Sequence, residues 1–442
     1  MQDECYKMQK YFFRANDKRS VLSFSNIKKC CNSLIRENKI VILQTLKGKC
    51  RKVERKNQRF HAAESRVQTC LAMPRQRKGR MKFKVKSFLI KIIGGANIAT
   101  ILIALILGYS DRFDAAAHAL LSSSGMAFPV FALLNAAFLL FWVLFWWRGI
   151  IIPVIGFVLC YFPMRAYCPF NMPQDVPEDA VKLLSMNVMN FNYPVPEDSV
   201  NAFQTVSRYI QRTKPDIACF VEFPPIPKMM KDMSEMCKYS DNVNNNKGNV
   251  LYVMSRYPII GKERIKFESV GNLSAAFHLL IEKDTVTLIV NHFQSICLSK
   301  EERQEVGKII DGTSSRNIRN TENKLLVAKV VEAIRYRAPQ VDAVTHYLDS
   351  IRAIGRSVLL CGDFNESPIS YSHHQMEKRL TDCYSSTATG PGYTFEQNGM
   401  HFRIDHIFCS DDWTPYRCEV VDKMRASDHY PMQCWLKKGS KP

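Results

Sequence analysis

Between Ile92 and Met164 lie three stretches that leave the backbone few options. Residues 92–109 run 18 long without a charged side chain, 126–147 run 22, and 149–164 run 16, parted from the second by Arg148 alone. A helix satisfies its own backbone groups, and ~20 apolar residues carry it across a bilayer, with ~17 near the lower limit. The first two stretches predict spanning helices. The third is short, and Tyr161 and Phe162 extend it through the interface. A signal peptide would account for the first stretch and not for the other two; a buried core helix is the alternative for the third. The basic segment 81–86 directly precedes the first stretch, so the positive-inside rule puts that end in the cytoplasm. The loop 110–125, with Asp111, Arg112 and Asp114, is then expected outside. Three crossings place the rest of the chain on the non-cytoplasmic face of a cell (inner) membrane. A re-entrant third stretch would return it inside, an alternative that the reduced-looking cysteines favour.

The net charge of +20 suggests a nucleic-acid binder until it is located. Residues 1–86 hold 24 Lys+Arg against 6 Asp+Glu, a net of +18, and the remaining 356 residues net only +2. Bulk charge therefore gives no sign of a groove for long duplex DNA in the C-terminal part. The basic arm, 1–86, is expected to be an over-extended gene start over 1–80, with a polybasic tether for anionic lipid or nucleic acid as the other reading. The 15 cysteines are odd in number and include no Cys-x-x-Cys pair, so neither a disulfide framework nor a zinc site is indicated. Cys219 and Cys361 fall in expected buried strands, where a thiol is a small hydrophobe.

After the transmembrane region, 87–165, residues 166–179 contain Pro169, Pro173 and Pro177 and read as a linker to a soluble domain, 180–442. Expected strands are 181–188, 217–222, 250–255, 275–281, 285–291, 357–363, 402–409 and 431–436. A helix is expected after an Asp198 cap, an Asn-rich loop over 241–249, a polar loop over 311–323, and two helical pieces broken near Pro339. Intermixed strands and helices point to a layered α/β domain with a mixed sheet.

Polar residues end several of these strands: Asn187, Glu222, the pair Asn291–His292, Asp363 with Asn365, Asp405, and Asp428–His429. Singly, each has an ordinary reading; Asp363 to Asn365, for example, suits an Asx-type turn. In an extended chain, however, residues two apart share a side, so Asp363 and Asn365 would together hold a water and a phosphate oxygen. Asn187, Glu222 and Asp428 offer oxygen ligands alone, which suit Mg²⁺ or Mn²⁺. A histidine beside a phosphate stabilises charge on a transferring phosphoryl group, and an aspartate bonded to it fixes its tautomer. Metal-assisted hydrolysis of a phosphate ester is the chemistry these residue types assemble.

In order and spacing, Asn187, Glu222, Asn291-His292, Gly362-Asp363-Phe364-Asn365, Arg403-Ile404-Asp405 and Ser427-Asp428-His429 resemble the endonuclease/exonuclease/phosphatase superfamily over residues 181–436. The resemblance implies an α/β (α+β) four-layer sandwich, two mixed β-sheets flanked by helices. It implies Asn187, Glu222 and Asp428 at a metal, and Asp363 and Asn365 positioning water and phosphate. His292 would contact the phosphate, and His429, held by Asp405, would be the catalytic histidine. Asn291 and Arg403 would sit on the substrate side. Arg337-Ala338-Pro339-Gln340 and the three apolar stretches resemble a membrane-anchored bacterial branch. Ser185-Met186 stands before Asn187 where many relatives carry an aromatic residue or threonine, which bears on substrate contacts there. The expected partners are a phosphate-ester substrate (nucleic acid, lipid headgroup or sugar phosphate) and a bilayer, with no obligate protein partner evident. The alternative is a catalytically silent binding module of the same fold.

Overall fold

A computed structural model describes residues 74–194, 201–245, 249–269, 271–296, 299, 301–302, 304, 319–397 and 399–439. The expectations for residues 1–73 and for the Asp198 cap, and most of the polar loop 311–323, lie outside the described residues. The chain divides into two compact units, Met1–Ile90 and Lys91–Pro442; the fold and the site belong to the second.

The helical region contains α1 (Pro74–Gly108), α2 (Ala119–Ser123), α3 (Phe128–Phe145), α4 (Ile151–Leu159) and α5 (Tyr161–Tyr167). Among the described residues, two helices are long and apolar enough to cross a membrane, Ser87–Arg112 and Ala119–Phe145. The third stretch is not one rod: Trp147–Leu159 and Tyr161–Tyr167 meet at a 64° bend. A polar chain stitches this bundle together. Trp142 Nε1 donates to Asn97 Oδ1, Asn97 Nδ2 to Asn135 Oδ1, and Asn135 Nδ2 to the Pro153 carbonyl, at 3.1, 3.0 and 3.0 Å. In an apolar surround such bonds fix which helix faces meet.

The remainder is a sandwich of two six-stranded mixed sheets. The first, in order β13-β14-β1-β2-β4-β3, takes β1 (Val181–Asn187), β2 (Ile217–Phe223), β3 (Tyr239–Asn244), β4 (Val250–Ser255), β13 (Trp413–Val420) and β14 (Met432–Lys438). The second, β5-β6-β7-β8-β12-β9, takes β5 (Ile259–Ile265), β6 (Leu273–Ile281), β7 (Asp284–His292), β8 (Ser357–Asp363), β9 (Thr381–Asp382) and β12 (Asp405–Cys409). A ribbon, β10 (Phe395–Gln397) with β11 (Met400–Phe402), stands apart. Alternation sorts the side chains. Leu183, Cys219, Leu288, Cys361 and Ile407 fill the space between the sheets. Leu184, Phe220 and Tyr252 face α6 (Ala202–Thr213) and α7 (Pro227–Ser234). Ile289, Leu360 and Phe408 face α8 (Arg319–Ala353) and α9 (Tyr371–Glu377). Helix, sheet, sheet, helix are the four layers.

Several local expectations change. α6 is capped by Asn201, whose side chain accepts from Gln204 N. Residues 239–244 of the Asn-rich stretch pair with β4 as an edge strand. The segment 402–409 splits into β11 and β12 around Arg403 and Ile404. Helix α8 runs through Pro339 instead of breaking there. Its apolar stripe changes partner at that point: Ile334 and Ala338 pack on Ala115 and Ala119, while Val341, Val344 and Leu348 pack on the second sheet. The stretch 166–179 is not a free linker, because Asn171 Nδ2 donates to the Ser385 and Ala388 carbonyls at 3.1 and 2.6 Å.

Candidate active site

The inter-sheet faces of β1, β7 and β8 end in Asn187, His292 and Asp363, and that of the antiparallel β12 begins with Asp405. Each has the parity of the neighbouring core residues of its strand, so period-two alternation delivers all four to one edge of the sandwich. Glu222 has the wrong parity. It reaches the same place because β2 shifts register between Phe220 and Phe223 and Glu222 takes φ 53°. After β1, Met189, Asn190 and Phe191 also take positive φ, strain of the kind that gathers at functional sites.

These side chains contact one another. Asn187 Nδ2 donates to Glu222 Oε1 and Asp363 Oδ2, both at 3.0 Å. His292 Nε2 lies 3.4 Å from Glu222 Oε1, and Asn249 Nδ2 donates to His292 Nδ1 at 2.8 Å, leaving Nε2 as the protonated nitrogen. His429 Nδ1 donates to Asp405 Oδ2 at 2.8 Å, and its Nε2 stands 3.8 Å from Asp363 Oδ2. Thr394 Oγ accepts from the backbone N–H groups of Ile404 and Asp405 at 3.0 Å and so orients the carboxylate. Phe395 packs edge-on against the His429 ring. Burial alone would lower His429, but the Asp405 and Asp363 carboxylates outweigh it and push the imidazole up to about 10. Burial raises Asp363 to about 6, against the pull of His429.

Asp363 satisfies both readings of its motif. Its Oδ1 accepts from the Asn365 N–H at 2.8 Å, an Asx turn, while Oδ2 faces the cleft group. Asn365 leaves the strand at φ 52° and donates to the Phe293 carbonyl, so it lines the cleft without extending β8. Gly362 is required by space: at φ 129° a Cβ would collide with the Asn291 carbonyl oxygen.

Two expected site residues are not brought to the cleft. Asn291 lies on the opposite face of β7 from His292, fully buried, and its side-chain atoms have no protein partner among the described residues. Arg403 is buried over the Tyr384 ring, 4.2 Å from its centroid, and donates to the Ala166 carbonyl; it ties the sandwich to α5 instead of meeting a substrate. Sequence reasoning missed Glu366 and Arg337, which line the cleft as a buried ion pair at 2.6 Å. The Arg337 stretch was noticed only as a likeness. It also missed Asn249, hidden in the Asn-rich stretch.

A divalent cation suits part of this group. Glu222, His292 and Asp363 form a cluster with ligand atoms within 4.8 Å of one another, and so do Asp363, Asp405 and His429. The second is self-satisfied around a cationic imidazolium, which repels a metal. The first is beside the Asn187 amide, and Glu222 keeps 28% of its side chain exposed toward the cleft. Asp428 lines the cleft but joins neither cluster among the described residues.

The chain is similar to several known proteins. The human Nocturnin catalytic domain with bound sulfate is 14% identical, covering 61% of this chain and 100% of its own at TM-score 0.44. An endonuclease/exonuclease/phosphatase from Beutenbergia cavernae is 16% identical, covering 60% and 72% at 0.42. D. rerio TDP2 complexed with a single-strand DNA product is 13% identical, covering 59% and 100% at 0.40. No curated protein matches the chain. A family model for a domain of unknown function matches residues 90–167. A second, for the Endonuclease/Exonuclease/phosphatase family, matches residues 184–429, more than half of the sequence and the whole run of strands that carries the cleft. The chain belongs to the endonuclease/exonuclease/phosphatase family.

Proposed function

We propose that the chain is a membrane-anchored, Mg²⁺- or Mn²⁺-dependent hydrolase of phosphate esters. Family members are phosphoric ester hydrolases, and the observation that carries the reading is Asp405–His429–Asp363 set beside Asn187, Glu222 and His292 in one cleft. Glu222 and Asn187, with Asp428 nearby, would hold the cation. When bound, the metal supplies positive charge to the phosphate oxygens. The protein's own groups do the rest. Asp363 orients the attacking water and accepts its proton. Protonated His429 and the Nε2–H of His292 donate to phosphoryl oxygens as negative charge develops. Asp405 fixes the His429 ring. A silent binding module remains the rival reading; the complete set of Glu222, Asp363 and His429 weighs against it.

Charge bias and packing support a catalytic domain on the non-cytoplasmic face, with a multi-pass anchor. The segment between the first two apolar stretches, 92–109 and 126–147, packs against the sandwich: Ala119 meets Ile334, and Asp111 Oδ2 lies 3.5 Å from His374 Nδ1. A shared side of the bilayer for both supports the reading in which the bent third stretch crosses.

Full-length protein in detergent should hydrolyse bis-p-nitrophenyl phosphate or p-nitrophenyl phosphate with Mg²⁺ or Mn²⁺ and stop on addition of EDTA. The preferred ester separates diesterase from monoesterase. A folded protein inert with every metal would move the assignment to the binding module.

A further inference from the structure

The cleft has a second wall, and it comes from the helical region. Ser122, Ser123 and Met126, at the end of α2 and in the turn after it, line the same space of about 250 Å³ as Glu222, Asp363 and His429. Packing holds them there. Ala119 sits against Ile334 and Ala338 of α8, and Gly125 is pressed so closely on Ile369 that a Cβ would collide with its carbonyl oxygen. Val330, Ile334 and Ile369 continue this wall with apolar side chains. Met126, which lines the cleft, is 41% exposed and nearby Leu120 61% exposed, on the helical segment Ala119–Phe145 that is apolar enough to span a membrane. One wall thus carries the polar chemistry, and the other is apolar and continuous with a membrane helix.

Charge narrows the occupant further. Among the described residues lining the cleft, Arg337 is the sole Lys or Arg, and it is committed to Glu366 and to the Gln294 carbonyl. A polynucleotide presents successive phosphates and is held by rows of cations. A molecule with one phosphate beside an apolar body has no such need, and burying its alkyl chain against the second wall supplies affinity.

We propose that the substrate is an acylated phosphoester drawn from the membrane, its phosphate at Asp363, His292 and His429 and its apolar part against Met126, Val330 and Ile334. This rests on the hydrolase reading above. The reaction is balanced by water alone: the water oxygen joins phosphorus, one P–O ester bond breaks, and the leaving oxygen takes up the proton.

The test uses the full chain in detergent micelles with Mn²⁺ and two matched pairs. These are dioctanoyl phosphatidic acid against glycerol 3-phosphate, and dioctanoyl phosphatidylglycerol against glycerophosphoglycerol. A single-stranded oligonucleotide and bis-p-nitrophenyl phosphate are run beside them. The proposal expects at least one acylated ester to exceed its deacylated partner by about tenfold or more in kcat/KM. Met126→Asp, at a partly exposed position, should cut that ratio about fivefold or more. Ratios within about twofold in both pairs, an oligonucleotide faster than every lipid, or a ratio untouched by Met126→Asp would each overturn it. If bis-p-nitrophenyl phosphate turns over while the lipids do not, this proposal alone falls. If nothing turns over, the hydrolase reading falls with it.

Discussion

Among the described residues of the sandwich, two hydrogen-bonded histidine–aspartate pairs differ in their surroundings. His429–Asp405 opens on the cleft. His373–Asp382, at 3.1 Å, is sealed at 0% and 1% side-chain exposure, and Ser385 also donates to Asp382. Burial alone would raise Asp382, but the hydrogen bond and charge of His373, with Arg403 and His406 near, hold its carboxyl well below the usual range. A depressed folded value contributes stability that is full above the ordinary Asp pKa of about 4 and is lost as pH falls below it. Asp382→Asn should therefore cost about 3–5 kcal/mol at pH 7, and the gap from wild type should narrow as pH falls below about 4. Denaturant midpoints in detergent at both pH values check this; equal midpoints at pH 7 would contradict it. Asn187, His292 and Asp363 are legible because each ends an apolar run with the parity of its inward side chains, and Asp405 because it opens one. Asn291 and Arg403 do not reach the cleft because neighbours in sequence face opposite ways in a strand or loop. Glu222 reaches the cleft only through a bulge, which alternation does not encode.

At the scale of elements, long apolar runs were read well and edges poorly. β2, β4, β6, β7 and β8 are buried on both faces, so their sequences are nearly continuous hydrophobic runs. β5 and β13 are edge strands with many half-exposed or exposed positions, and nothing in their sequences drew attention. The Pro339 break was expected from local chemistry, yet α8 is held on both sides of the proline, by α2 before it and by the second sheet after it. Tertiary packing there overrides the lost backbone bond. The same packing makes α2 a wall of the cleft, which no property of its five residues announces.

For the whole molecule, the segment between the first two apolar stretches lines the same cleft as the strand-end residues of the sandwich. The proposed topology can be tested chemically. Cys168, just after α5, is exposed and free. In spheroplasts of an expression host, a membrane-impermeant maleimide should label it without permeabilisation, and Cys168→Ser should remove that label. Labelling only after permeabilisation would put the sandwich inside.

The proposed chemistry turns on His429. The measurement is kcat for bis-p-nitrophenyl phosphate by full-length wild type and His429→Ala at saturating Mg²⁺, with circular dichroism showing that both are folded. An imidazolium held between Asp405 and Asp363 and donating to the phosphate predicts a loss of about 10²–10⁴-fold. A folded variant within about twofold of wild type would mean that the chemistry lies elsewhere.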